Sequence, residues 1–330
     1  MRLGWALRNV QASDKRMSLR ITRYYRERMS TKIEQVSWGG WPHCYRLSNP
    51  EIELILTADV GPRVIRCGFV GGPNVFKEYA GEMGGCGETT WKIRGGHRVW
   101  VAPERANITY ELDNHPVKVT VVGDVVEATS PIDPRTGLQK TLILKLEGRR
   151  VTAMNRVTNT TLFPIRCAAW GPTVMAPGGL GITGFPPRGS HPEDLEPVNP
   201  LVMWSYTDFS DSRWRFTSKY VTLRQDPQAI SAQKLGLFNA HTFGAYLLDG
   251  HLFLKQFHPD PHKTYSDMGC SYQSFTNRDM LELETMGPYE LVAPGTYTEF
   301  TETWSLDRGV LLAGISDAAL DAMLLPRLTY

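Results

Sequence analysis

The sequence predicts an all-β protein, a large sandwich of antiparallel strands. Short segments with β-branched residues, or with alternating polar and apolar residues, follow one another from Val36 onward. Turns rich in Gly, Pro, Asn and Asp separate these segments. The 30 glycines and 22 prolines among 330 residues fit a chain with many turns. Alternating strand and helix units, which would predict a parallel sheet, are missing from the pattern.

The strand pattern recurs through both halves of the chain. The segments that carry it in the first half are 51–57, 63–67, 117–122, 125–129, 140–146 and 151–157. In the second half, segments 242–248 and 252–257 flank Asp249-Gly250, a dipeptide typical of tight hairpin turns, so we expect an antiparallel pair there. Residues 296–306 form a further alternating strand.

The remaining segments set the domain organisation. Only residues 317–325 carry a clear helical pattern, with Ser316 or Asp317 as the N-cap. The longest irregular stretch, 178–200, is rich in Gly and Pro and predicts an insertion loop over a binding site. No composition break divides residues 29–310, which favours a single sandwich domain followed by a helical tail at 311–330.

The first 28 residues differ from the rest of the chain. They are rich in arginine, and their only acidic residues are Asp14 and Glu27. A basic, acid-poor leader is typical of an organelle transit peptide, but a start codon upstream of Met29 that adds a disordered tail explains it equally well. We therefore predict a disordered basic extension over residues 1–28.

Composition argues against several kinds of partner and cofactor. The formal net charge is +2, without a basic stripe for nucleic acid. No apolar run reaches the roughly 18 residues that a membrane-spanning helix needs. Five cysteines without a C-x-x-C pair argue against disulfides and structural zinc, and favour free thiols in the cytoplasm. We expect no cofactor and no catalytic metal, and the sequence carries no signal for oligomeric state.

The segment 280–288 alternates two carboxylates with two leucines. A strand there would send Leu281 and Leu283 to one face and Glu282 and Glu284 to the other. Adjacent carboxylates repel each other, and a chain tolerates this most easily where the acids are used. A solvated strand face explains the pattern equally well.

Four segments carry a further signal through their order in the chain. They are 54–65 (LILTADVGPRVI), 94–104 (RGGHRVWVAPE), 155–164 (NRVTNTTLFP) and 283–285 (LET). This order resembles that of the galactose mutarotase-like superfamily, which includes aldose 1-epimerases and hexose-6-phosphate mutarotases. The resemblance implies a large antiparallel β-supersandwich over most of residues 40–306. The pattern is most similar to an uncharacterised branch of the superfamily with no settled reaction.

Mutarotation, the reaction that the resemblance implies, opens and recloses a pyranose ring. One group removes the proton of the anomeric hydroxyl while another protonates the ring oxygen. By position Glu284 matches the family's base, and repulsion from Glu282 would raise its pKa toward a useful range. The place of the family's catalytic histidine falls at or near Trp170 in this chain, and no histidine lies between His115 and His191.

The acid therefore has to be sought among the other histidines. His97 follows two glycines and precedes Arg98, in a position where a ligand can approach the backbone closely. We predict His97 as the catalytic acid. His241 and His258 come next, as substrate-binding residues, although a satisfied surface or turn histidine is the commoner outcome for each.

Other residues suit a carbohydrate cleft. Tryptophans offer platforms for a sugar face, although they lie more often in a core, and charged groups offer the paired hydrogen bonds that hydroxyls need. The predicted substrate-binding residues are Arg98, Trp100, Glu104, Trp170, Lys219, His241, His258, Asp267 and Glu282. The ligand could also be a phosphorylated sugar, because cations are present at Arg94, Arg98 and Lys219.

Two functional hypotheses follow from the residues and the resemblance. In the first, the protein is an aldose 1-epimerase-like isomerase that opens the ring of an aldose or sugar derivative at the anomeric carbon. In the second, it is a noncatalytic carbohydrate-binding sandwich that has lost the catalytic histidine. A proton donor within reach of Glu284 across a pocket favours the first hypothesis, and apolar walls favour the second.

Overall fold

The computed structural model of the protein describes residues 31–329. The basic extension predicted at residues 1–28 and the start at Met29 lie outside the described residues. Among residues 31–329, no helix has the length and apolar character needed to cross a membrane.

Twenty-two strands and one helix of two turns organise residues 31–329. The first eleven strands are β1 (Lys32–Trp38), β2 (Trp41–Ser48), β3 (Ile52–Thr57), β4 (Arg63–Phe69), β5 (Gly96–Arg98), β6 (Trp100–Ala102), β7 (Lys118–Val122), β8 (Val125–Thr129), β9 (Leu138–Glu147), β10 (Arg150–Asn159) and β11 (Ile165–Met175). The other eleven are β12 (Leu180–Gly184), β13 (Leu201–Met203), β14 (Trp214–Phe216), β15 (Tyr220–Arg224), β16 (Gln233–Leu237), β17 (Thr242–Leu248), β18 (His251–Phe257), β19 (Tyr272–Thr276), β20 (Leu281–Met286), β21 (Glu290–Val292) and β22 (Tyr297–Arg308). Helix α1 covers Asp317–Leu324, and single helical turns occur at Ala80–Glu82 and Ser266–Gly269.

The strands form two antiparallel sheets. The twelve-stranded sheet has the order β1-β2-β3-β4-β5-β11-β20-β19-β16-β13, and β6 and β21 also pair with β11. The ten-stranded sheet has the order β14-β15-β12-β17-β18-β22-β10-β9-β8-β7. The sheets pack face to face, because leucines of β3 and β20 share one apolar core with leucines of β9. The predicted all-β sandwich is confirmed.

Local sequence signals located most of the strands correctly. The segments predicted in the first half correspond to β3, β4, β7, β8, β9 and β10, and residues 296–306 correspond to β22. Strands β17 and β18 form the predicted hairpin, and Asp249 and Gly250 at its tip both have positive φ, as a type I′ turn requires. Helix α1 begins after Ser316, whose side chain accepts a hydrogen bond from the Ala319 amide.

The prediction of an irregular loop over residues 178–200 is wrong for its first part. Leu180–Gly184 forms β12, a buried strand between β15 and β17. Its glycines are turn signals in the sequence, but here they permit close packing. A Cβ atom at Gly184 would lie 2.8 Å from the Phe243 ring, and one at Gly181 would lie 3.0 Å from Leu281. Residues 185–188 line a cavity beside α1, apart from the pocket around β20.

Strand β20 has the two faces that its alternation predicts. Leu281 and Leu283 lie in the core between the sheets. Glu282 and Glu284 lie on the opposite face of the twelve-stranded sheet, and both are buried. Burial of two carboxylates is costly unless they have partners, so this face is no ordinary solvated strand surface.

Candidate functional site

A pocket of about 380 Å³ opens on the outer face of the twelve-stranded sheet. Its polar lining consists of Arg98, Glu104, Lys234, Asn277 and Glu282. Its aromatic lining consists of Trp91, Trp100, Tyr110, Trp170, Tyr206 and Phe275. A pocket with aromatic walls and a few convergent charged groups is the usual form of a small-molecule site.

Strand pairing explains why residues distant in the chain meet here. Lys234 on β16 lies opposite Phe275 on β19, and Phe275 lies opposite Glu282 on β20. Directly opposed residues of antiparallel strands project to the same face, so all three reach the pocket. Trp170 on β11 lies opposite Trp100 on β6 in the same way.

Glu284 lies behind the pocket lining, in contact with Lys234. Its side chain is 1% exposed, its Oε2 atom is 3.1 Å from Lys234 Nζ, and its buried Oε1 atom has no hydrogen-bond partner among the described residues. Burial raises the pKa of Glu284 to about 7, and repulsion from Glu282 contributes to the rise, while the Lys234 ammonium opposes it. The expected repulsion from Glu282 is thus present, but burial is the larger cause.

The neighbour of Glu284 across the sheet adds a second unsatisfied acceptor. Gln273 on β19 lies directly opposite Glu284. Its Nε2 donates to Asp267 at 2.8 Å, and its buried Oε1 has no partner among residues 31–329. Two unsatisfied acceptors are costly when they are buried on neighbouring strands. A proton on Glu284 or a hydroxyl group of a ligand would supply the missing donor.

Lys234 connects the pocket with Glu284. The residue is 3% exposed, and its ammonium lies 3.8 Å from Glu104. It also lies 5.0 Å from the centre of the Trp170 ring and 4.9 Å from that of Trp204. Burial acts to lower the pKa of Lys234, but the carboxylates of Glu284 and Glu104 outweigh it, so the pKa is raised.

Arg98 and Glu282 form the second ion pair of the pocket. Arg98 Nη2 donates to Glu282 Oε1 at 3.0 Å, and the guanidinium lies 4.0 Å from the centre of the Trp100 ring. The Tyr110 hydroxyl donates to the Glu104 carboxylate at the pocket mouth. Each charged group of the pocket therefore has an opposite charge or a donor beside it.

Trp100 and Trp170 do not offer the open stacking platforms that the sequence suggested. They are 6% and 2% exposed, and their rings carry Arg98 and Lys234 respectively. Indole faces attract cations, and here the chain's own cations take these positions. Trp91, which is half-buried, presents more of its ring to the pocket.

His97 lies on the other side of the sheet from the pocket. Strand alternation sends Arg98 outward to the pocket and His97 inward, where it is fully buried between the sheets. Its Nδ1 lies 2.9 Å from Thr173 Oγ1 and its Nε2 lies 2.9 Å from Asn155 Oδ1. Burial lowers the pKa of His97 well below its usual value, and the Lys255 ammonium adds to this effect. The structure does not bring the predicted acid to Glu284.

Three other predicted residues lie away from the pocket. Lys219 pairs with Asp321 of α1 at 2.6 Å, and His241 lines the same cavity beside that helix. The His258 ring packs against His241, with 5.7 Å between ring centres. His241 immediately precedes β17 and His258 immediately follows β18, so both lie at the open end of this hairpin and outside the pocket lining. Asp267 stays near the site only through its contact with Gln273.

Sequence reasoning missed Lys234, Tyr110, Tyr206 and Asn277. A signal for Lys234 existed, because the alternation in residues 233–237 puts Lys234 and Gly236 on the face opposite Leu235 and Leu237. Both leucines are fully buried, as this alternation predicts. No group of three or more His, Cys, Asp and Glu residues within the described range has a geometry that fits a metal ion.

Solved structures of similar fold support the architecture. A candidate aldose 1-epimerase from Klebsiella pneumoniae matches with a TM-score of 0.55 and 13% identity, covering 89% of this chain and 86% of that one. A galactose mutarotase related enzyme from Lactobacillus acidophilus matches with a TM-score of 0.51 and 8% identity, covering 81% and 98%. A galactose mutarotase-like protein from Lactobacillus casei matches with a TM-score of 0.51 and 11% identity, covering 80% and 100%.

This chain has the galactose mutarotase-like fold. The resemblance seen in the four sequence segments is confirmed at the level of architecture. No family model matches the sequence, and no curated protein matches it. Within the galactose mutarotase-like fold, the chemistry of this chain therefore has to be argued from its own pocket residues.

Proposed function

We propose that this protein binds a carbohydrate in the pocket around Glu284 and catalyses acid/base opening and reclosure of its ring at the anomeric carbon. The observation that carries this proposal is the burial of the Glu284 carboxyl next to the pocket, with one oxygen unpartnered. A buried carboxyl whose pKa lies near 7 takes up and returns a proton readily at neutral pH. Its unpartnered Oε1 atom is an acceptor for the anomeric hydroxyl.

The position of Glu284 implies how a substrate reaches it. Lys234 and Glu282 line the pocket, whereas the Glu284 carboxylate lies behind them. We expect the substrate to displace the Lys234 ammonium from Glu284 as it enters. The movement takes the ammonium out of its contacts with Trp170 and Trp204, and the flexible four-carbon stem of lysine permits it.

The charges of the pocket favour a neutral sugar over a sugar phosphate. Arg98 and Lys234 each already have a carboxylate partner. Arg94 is buried and bound to Glu88 at 2.6 Å, and Lys219 lies in the cavity beside α1. A phosphate group would also meet the carboxylates of Glu282 and Glu104, which neutralise these cations, while hydroxyls use the paired groups as donors and acceptors.

A noncatalytic sugar-binding function is the second candidate. The observation that favours it is the position of His97, because the pocket has no histidine among the residues described. The aromatic lining with Asn277, Glu104 and Arg98 would serve binding alone.

We also propose a cytoplasmic location for either function. All five cysteines are free, as is usual in a reducing compartment.

Anomer exchange measured by NMR tests the proposed reaction. A panel of neutral aldoses and their 6-phosphates would be incubated with the wild type, with Glu284→Gln and with Glu290→Gln. Glu290 pairs with Lys263 on the surface and serves as the matched control. We expect the wild type to accelerate exchange of a neutral aldose, Glu284→Gln to lose about 10²- to 10⁴-fold, and the control to keep its rate.

Two results would change the conclusion. Equal rates for the wild type and Glu284→Gln would remove Glu284 from the reaction. Sugar binding measured by calorimetry, without faster anomer exchange for any member of the panel, would establish the noncatalytic alternative.

A further inference from the structure

Lys234 contacts both the pocket and the proposed base, Glu284, as a residue that takes part in the reaction would. It lines the pocket, and its ammonium touches Glu284 on the side away from the pocket. Its Trp170 contact lies at the place where the resemblance puts the family's histidine. The lysine of β16 thus brings an ionisable N–H group to a location from which β11 presents only an indole.

We propose that Lys234 is the general acid of this site. This inference rests on the function proposed above, in which Glu284 is the base. The incoming sugar separates Lys234 from Glu284, and Lys234 then donates its proton to the ring oxygen while Glu284 accepts the proton of the anomeric hydroxyl.

The step balances in protons and electrons. The bond between the anomeric carbon and the ring oxygen breaks, and its electron pair goes to the ring oxygen, which takes the proton from Lys234 Nζ. The O–H bond of the anomeric hydroxyl breaks, its electrons form the carbonyl double bond, and its proton goes to Glu284. Reclosure on the other face of the carbonyl reverses both transfers and restores the two charges.

Separation of the ion pair prepares both partners for these transfers. Glu284 is the largest influence that raises the pKa of Lys234, and burial opposes it. Lys234 in turn is the largest influence that lowers the pKa of Glu284, and burial opposes that as well. When the substrate moves them apart, Lys234 becomes a stronger acid and Glu284 a stronger base.

Burial also favours the state that the transfers produce. Both side chains are almost fully withdrawn from water. Two separated charges in such a place are costly, whereas a carboxylic acid and an amine are neutral. The rings of Trp170 and Trp204 stabilise the ammonium in its resting position, so moving it away from them removes contacts that favour the charged form.

Rescue by added amines tests the proposal. Lys234→Ala removes the donor and leaves space for a small alkylammonium ion such as ethylammonium. Lys234→Arg keeps the charge but holds its proton too tightly to donate it. Lys234→Met keeps the volume of the stem and serves if the alanine variant does not fold. Lys263→Ala, at the surface pair with Glu290, is the control.

We expect Lys234→Ala, Lys234→Arg and Lys234→Met each to slow anomer exchange by about 10²- to 10⁴-fold. Ethylammonium should raise the rate of Lys234→Ala in proportion to its concentration, and it should leave Glu284→Gln and Lys263→Ala unchanged. If Lys234 only bound substrate through its charge, Lys234→Arg would keep most of the activity. Removal of the charge would then change KM more than kcat.

The outcomes separate this inference from the proposed function. If the wild type accelerates exchange and Lys234→Ala or Lys234→Arg remains within threefold of it, on the order of 0.6 kcal/mol, Lys234 is not the acid and Glu284 keeps its role. Equal stimulation of Glu284→Gln by ethylammonium also overturns the inference. If the wild type accelerates exchange of no sugar, the proposed function itself fails.

Discussion

Glu284→Gln is predicted to change how the stability of the protein depends on pH. Because the pKa of Glu284 is raised from 4.5 to about 7, the folded chain binds more protons than the unfolded chain between these values. The free energy of unfolding of the wild type therefore falls as pH rises through this window. At about 1.4 kcal/mol for each pKa unit, the rise from 4.5 to about 7 corresponds to about 3 kcal/mol.

A glutamine at this position cannot titrate, so the variant lacks that fall. We expect the stability of Glu284→Gln relative to the wild type to increase by about 3 kcal/mol between about pH 4.5 and about pH 7.5. Carboxylates far from the substitution titrate alike in both proteins and cancel in the difference. The sign is informative, because a carboxylate stabilised by an ion pair would change the difference in the opposite direction.

Urea unfolding followed by tryptophan fluorescence measures this difference at a series of pH values. Glu290→Gln removes one carboxylate from a surface ion pair and controls for the loss of a negative charge. A difference for Glu284→Gln that stays constant within about 0.5 kcal/mol across the series would refute the claim that burial raises the pKa of this carboxyl.

Three further predictions concern the stability of the fold at positions outside the pocket. Lys255→Met should cost about 3–5 kcal/mol in urea unfolding, because it leaves the buried Glu302 carboxylate, 3.1 Å away, without its cation, and Lys255→Met/Glu302→Leu should recover part of the loss. Gly95→Ala should cost at least about 1–3 kcal/mol, since φ is +99° there and the new Cβ would lie 1.9 Å from a backbone oxygen; a smaller loss would contradict this packing. Ser316→Ala should lower stability by about 1 kcal/mol through loss of the α1 cap, and an unchanged urea midpoint would contradict it.

The strands were predictable where local pattern and packing agree. Residues 242–257 alternate around Asp249-Gly250, and this short-range signal is sufficient for a hairpin in the observed register. At β12 the same kind of reasoning was wrong, because glycine is a turn signal locally but a packing requirement in this strand. Only the neighbouring Phe243 and Leu281 side chains distinguish the two cases.

The candidate site was predictable in part. Alternation alone placed Glu282 and Glu284 on one face of the strand. Their burial comes from the side chains that surround the pocket. His97 was predicted as the acid because it follows two glycines, but the same period-two rule sends it inward once Arg98 faces the pocket. Strand β5 carries both residues and lies between β4 and β11, and this position is known only from the order of strands in the sheet.

The sequence by itself determined the sandwich class, most strand positions and the face on which Glu284 lies, because these depend on neighbours a few residues apart. The tertiary structure alone decided that Lys234 is the partner of Glu284, that His97 is enclosed between the sheets, and that cations cover Trp100 and Trp170. These facts depend on which strands pair, because β19 pairs with both β16 and β20 and so brings Lys234 and Glu284, 50 positions apart, into contact. No local pattern specifies a contact at that separation, because many strands of similar composition compete for each position in a sheet.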